Sequence, residues 1–204
     1  MNKNISKTEK FINFNNVNET HIGSFHELSY DKENDFFLVE SEKSAYNFDL
    51  IHKEFSKKNK CQTTPTSDSI YCSEDKYYFI EFKNTSGTKD NFPKSLLKKM
   101  IGTYLNFNDL LISEGCTKGN YESLNFYRVF VMVHSKQKYE KYIKNKEEKN
   151  NDVQRNTVIR NRTDANSLQE EMKIFTKPFL GYLYDEIHII DDNSFDTNFI
   201  SRLN

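Results

Sequence analysis

The chain has 204 residues, 36% of them apolar, with 29 basic and 30 acidic side chains and a formal net charge of -1. That length suits a single domain, residues 1–204, with a core of its own, and no apolar run approaches the ~18 residues of a membrane span. The 17 Phe and 12 Tyr speak against a disordered polymer despite a mean hydropathy of -0.82, and the near-neutral balance leaves any nucleic-acid contact to local charge.

Residues 1–10 are polar and carry no apolar leader core. Cys61, Cys72 and Cys116 form no closely spaced pair of the zinc-ribbon kind. Both features point to a cytoplasmic protein with reduced thiols. Residues 1–35 are polar with isolated aromatics at Phe11, Phe14 and Phe25, and read as a loosely structured arm or a short helix and strand packed on the outside of the domain.

A stronger segment opens at residues 36–39. Over 41–55 the apolar positions are Ala45, Phe48, Leu50, Ile51 and Phe55. Spacings of three and four predict an amphipathic helix, capped by Ser41 or Ser44. A Lys-, Thr- and Pro-bearing connector follows to residue 66. Residues 67–72 and 77–83 then form a hairpin across the polar link 73–76.

Residues 84–91 read as a loop. The clearest helix spans 94–111, with Leu96, Leu97, Met100, Ile101, Tyr104, Leu105 and Leu111 as its apolar stripe. Gly102 lies inside that stripe, tolerable where another element packs closely. The run Val129–Val133 in segment 125–135 predicts a strand covered on both faces. Residues 136–162 carry nine Lys and Arg against four acids. A short helix over 167–175 and a strand over 186–190 complete the chain. The layout is α/β or α+β, with a central mixed sheet flanked by helices.

Strand residues two apart point the same way, so Glu81 and Lys83 share a face while Ile80 and Phe82 share the other. Charge on a strand with buried-type neighbours calls for a reason. Asp68, at the start of the preceding strand, can be returned to Glu81 by the hairpin. Two carboxylates suit a hard divalent cation, which takes oxygen ligands and keeps several waters. Such an ion polarises a phosphodiester and lowers the pKa of a bound water. A lysine beside it orients that water or offsets transition-state charge. The carbonyl of Phe82 offers a further oxygen.

Pro65-Thr66-Ser67-Asp68 followed by Ile80-Glu81-Phe82-Lys83 resembles the PD-(D/E)XK nuclease superfamily, over roughly residues 36–135. The resemblance implies a restriction-endonuclease-like core in the order α-β-β-β-α-β, between an N-terminal arm at 1–35 and a C-terminal extension at 136–204. It implies Asp68 and Glu81 as the acids, Lys83 as the catalytic lysine, and Mg²⁺ or Mn²⁺ as cofactor. Glu42 is the candidate for the helical glutamate that supports the metal in many members, with Glu40 and Glu54 as alternatives. The sequence departs from the pattern in placing Thr66 and Ser67 between Pro65 and Asp68.

Each residue also has a bland reading. Glu81 and Lys83 alone would be a solvated ion pair on a strand. Asp68 would be a turn residue after Pro65. Glu42 would merely complement a helix dipole. Lys98 and Lys99 on the long helix, and the basic run 136–162, would be solvated charge rather than phosphate contacts.

The function expected is metal-dependent phosphodiester hydrolysis. DNA is favoured over RNA, and a homodimer or partner subunit supplies target selection. The competing expectation is a catalytically silent nuclease-fold module that binds nucleic acid or protein.

Overall fold

In the computed structural model, residues 19–73, 76–85, 92–113, 127–153, 172 and 174–203 are described. The strands are β1 (Ile22–Ser24), β2 (Tyr30–Asp31), β3 (Phe36–Phe37), β4 (Ser44–Asn47), β5 (Ser69–Ser73), β6 (Lys76–Lys83), β7 (Tyr127–His134) and β8 (Glu186–Asp191). The main helices are α1 (Phe25–Leu28), α2 (Phe48–Asn59), α3 (Phe92–Ser113) and α4 (Lys136–Val153).

Six strands form one sheet in the order β1-β4-β5-β6-β7-β8. β1, β4, β5 and β6 pair antiparallel, whereas β6, β7 and β8 run parallel. The sheet is therefore mixed, with helices on its faces, as expected. β2 and β3 make a separate two-stranded ribbon.

Alternation along β6 builds two cores. Tyr77 and Phe79 face a cluster with Phe48 and Ile51 of α2 and Leu96, Met100 and Phe107 of α3. Ile80 and Phe82 face a second cluster with Phe25, Val39, Phe195 and Leu203. β7 feeds both, through Phe130 and Met132 on one side and Val129, Val131 and Val133 on the other. All five side chains are fully buried, as an unbroken apolar run demands.

The first long helix differs from its sequence expectation. Residues 44–47 are strand, because Ala45 and Tyr46 bury into opposite cores, which only the two-residue period of a strand permits. Helix α2 begins at Phe48, with neither Ser41 nor Ser44 as cap. Asn47 caps it, its side chain accepting from Leu50 N at 2.9 Å. Lys60 closes it in the left-handed region at φ 54. In consequence α2 and α3 enclose two strands, not three. Residues 61–67 are coil, and β4 precedes α2 instead.

Of the two readings for residues 1–35, the described part follows the short helix and strand, β1 and α1, and it packs into the core rather than only on the outside. Ser24 and Glu27 form a capping box around α1, which drives Phe25 fully into the core. The basic stretch is helical over residues 136–153. Of the helix expected at 167–175, only residues 172 and 174–175 are described, and all three are helical. Residues 1–18, residues 86–91 of the expected loop, Cys116 and residues 154–171 lie outside the described residues.

Candidate functional site

β6 runs from aromatic core into charge. After Phe79 the same face presents Glu81, fully buried, then Lys83, whose side chain is 24% exposed. Lys83 Nζ lies 2.6 Å from Glu81 Oε1. The contact is an ion pair with the buried carboxylate.

Asp68 is delivered by a clamped loop. Gly102 of α3 lets the helix approach so closely that a Cβ there would stand 2.0 Å from the Pro65 carbonyl oxygen. Ser67 N donates to Thr103 Oγ1 at 2.7 Å, and Asn106 Nδ2 to Thr64 Oγ1 at 2.7 Å. Thr66 Oγ1 donates to the Asp49 carboxylate on α2. Phe48 N closes the other side by donating to Asp68 O at 3.1 Å. The β5–β6 ladder begins at Ser69–Ile80. Just beyond it, Asp68 Oδ2 accepts from Phe82 N at 2.6 Å and takes over the role of a ladder carbonyl.

A second lysine, Lys99 of α3, completes the cluster. Its Nζ lies 2.6 Å from Glu81 Oε2 and 3.0 Å from Asp68 Oδ1. Its side chain is 17% exposed, whereas Lys98 points to solvent. The bland reading of this lysine pair therefore holds for Lys98 and fails for Lys99. The helical period held the signal, because Lys99 lies three residues after Leu96 and four before Thr103, both buried.

Burial pushes the Glu81 carboxyl up to about 7. Asp68 adds to this, while Lys99 and Lys83 oppose it. Burial works against the Lys99 ammonium, but Asp68 and Glu81 outweigh it and hold the group above the usual lysine range. Fully ionised, the four side chains sum to zero charge.

In a strand the N–H and C=O of one residue point to the same side. Phe82 N faces Asp68, so the Phe82 carbonyl opens towards Asp68 as well. Two carboxylates and one carbonyl make a hard-oxygen set. It fits a small divalent cation that keeps several waters. Among the described residues, no group of three or more His, Cys, Asp or Glu is placed to hold a metal.

The site opens into a cleft of about 640 Å³. Asp68, Phe82 and Lys83 lie on one side and the turn between β2 and β3 on another. Asn84 ties that turn down by donating from Nδ2 to Asp31 Oδ2 at 3.0 Å. Lys138 of α4 reaches in and donates to Asn84 O at 2.8 Å. Part of the basic stretch thus faces the cleft.

The structure brings Asp68, Glu81, Phe82 and Lys83 together and leaves Glu42 apart. Glu42 is exposed, in the coil before β4, with no hydrogen bond or ion pair to the cluster. The alternatives lie elsewhere too. Glu54 pairs with His21 at 3.0 Å, and Glu40 stands 4.0 Å from His26. No family model, curated protein or solved structure matches this chain.

Proposed function

We propose that the protein is a divalent-metal-dependent nuclease that hydrolyses phosphodiester bonds. One observation carries the reading: the Asp68 and Glu81 carboxylates converge on a single cationic position beside a cleft that Asp68 and Lys83 line. Sheet edges and helix faces carry many acid–lysine pairs, but a fully buried glutamate facing an aspartate is costly to keep. Groups shifted in this way cluster at functional sites.

Asp68, Glu81 and the Phe82 carbonyl would hold Mg²⁺ or Mn²⁺. The bound ion supplies Lewis-acid activation of a phosphoryl oxygen and of water. Lys83 orients the attacking water and offsets the charge that builds on the phosphate. Lys138 offers a positive charge to the backbone of the substrate at the cleft wall. DNA is favoured over RNA on the family resemblance. That resemblance carries a restriction-endonuclease-like core; cytoplasmic action, read from the polar N-terminus and the cysteine spacing, and a homodimer or partner subunit belong to the same proposal.

A second reading also has an observation behind it. Both carboxylates already have ammonium partners in Lys83 and Lys99, and the cluster closes neutral. That is what a catalytically silent module with the same scaffold would retain.

Cleavage separates the two. Circular and linear duplex DNA, single-stranded DNA and RNA are incubated with the protein in Mg²⁺, Mn²⁺ or EDTA, beside Lys83→Ala. Metal-dependent cutting that disappears in Lys83→Ala supports the nuclease. Undiminished cutting in the variant refutes the site, and no cutting by either protein favours the silent module.

A further inference from the structure

We infer that Lys99 is a built-in competitor for the cation position of this site, so that a divalent ion binds only as the Lys99 ammonium leaves. The inference rests on the nuclease reading and concerns how that site is regulated. Among the described residues, two lysines touch the carboxylates, but in different ways. Lys83 meets Glu81 alone, through Oε1. Lys99 bridges Glu81 Oε2 and Asp68 Oδ1, 2.6 and 3.0 Å away. Those are the inward oxygens of the two acids, and an ion bound by both would need the point where Nζ stands. An ammonium and a divalent cation cannot share it, since both are positive and both demand the same lone pairs.

The competition has a physical purpose. Without a cation between them, a fully buried carboxylate would face a second one across a low-dielectric gap, and their repulsion would open the loop that carries Asp68. Lys99 removes that repulsion and keeps the site assembled. Its backbone belongs to the stretch of α3 clamped by Gly102 and Thr103, so the stem starts from a fixed point. Its four-carbon chain then allows the head group to swing outward while the helix stays put. The metal-free protein is therefore held in a closed, self-neutralised state, and metal affinity is lower than the donor set alone would give.

Mn²⁺ binding, followed by the loss of the free-ion EPR signal, tests this in the wild type, Lys99→Met, Lys83→Met and Glu81→Gln. Lys99→Met is expected to bind Mn²⁺ at least about tenfold more tightly than the wild type, because one positive charge in direct competition is gone. Lys83→Met is expected to change affinity less, since Lys83 leaves Asp68 untouched. A second readout uses the wild type itself. The acetylation rate of Lys99, followed by mass spectrometry, is expected to rise when Mn²⁺ is added. This readout decides the matter if Lys99→Met fails to fold. Wild-type Mn²⁺ binding with no gain in Lys99→Met and no change in Lys99 acetylation would overturn the inference and leave the nuclease reading standing. No Mn²⁺ binding by the wild type or by folded Lys99→Met would overturn both.

Discussion

Gly102→Ala reports on the joint that builds the site. In an isolated helix the change is favourable by about 1 kcal/mol, because alanine is the better helix former. Here the new Cβ would lie 2.0 Å from the Pro65 carbonyl oxygen and 3.2 Å from its carbon. Ordinary contact needs about 3.5 Å, so α3 and the Pro65 backbone must part by roughly 1.5 Å. Both partners are main chain, so no flexible side chain can give way. Overpacking of this kind costs up to about 3 kcal/mol, which leaves a net loss of about 2 kcal/mol after the helix gain. For a chain of this size that lowers Tm by roughly 4–8 °C. The strain falls on the Ser67–Thr103 and Thr64–Asn106 hydrogen bonds, so Asp68 moves away from Phe82 N and Lys99. Thermal unfolding followed by circular dichroism measures the effect. A Tm equal to or above the wild type would show that the helix gain prevails and that the close approach of Pro65 is not as described.

The remaining predictions concern charge and packing. Burial raises the Glu81 carboxyl from 4.5 to about 7, so between those values the folded chain keeps a proton that the unfolded chain has released. Stability from this group is then greatest below the unfolded value and declines as pH rises through the folded one. Urea midpoints from about pH 5 to about pH 8 should show that decline in the wild type and a flatter profile in Glu81→Gln; identical profiles would refute the assignment. Tyr184→Phe removes a buried hydroxyl that donates to Met100 O at 2.7 Å, and should cost about 1 kcal/mol in urea unfolding. An unchanged midpoint would mean that this bond adds nothing. Glu42→Ala should leave Mn²⁺ affinity unchanged, because Glu42 is exposed and unconnected to the cluster. A tenfold loss, about 1.4 kcal/mol, would restore Glu42 to the ligand set.

Short-range periodicity carried a large part of this protein. The two-residue period of a strand alone places Glu81 and Lys83 on one face, and the unbroken run at Val129–Val133 requires a strand buried on both sides. Gly102 inside an apolar stripe is tolerable only where another element packs closely, and the Pro65 carbonyl is that neighbour. Other features depend on partners distant in sequence. Ala45 fits a helix by spacing, yet β1 and β5 capture Ala45 and Tyr46 as a strand, because each side chain finds a different core. Phe25 lies in a polar stretch and is still fully buried. Lys98 and Lys99 are equivalent by residue type, and only one reaches the acids. That choice follows from the rotation of α3, which Gly102, Thr103 and Asn106 set against the loop at residues 64–67. Sequence determines which faces an element offers, and long-range packing decides what each face meets, because the partner of Lys99 on that loop lies 31 residues away.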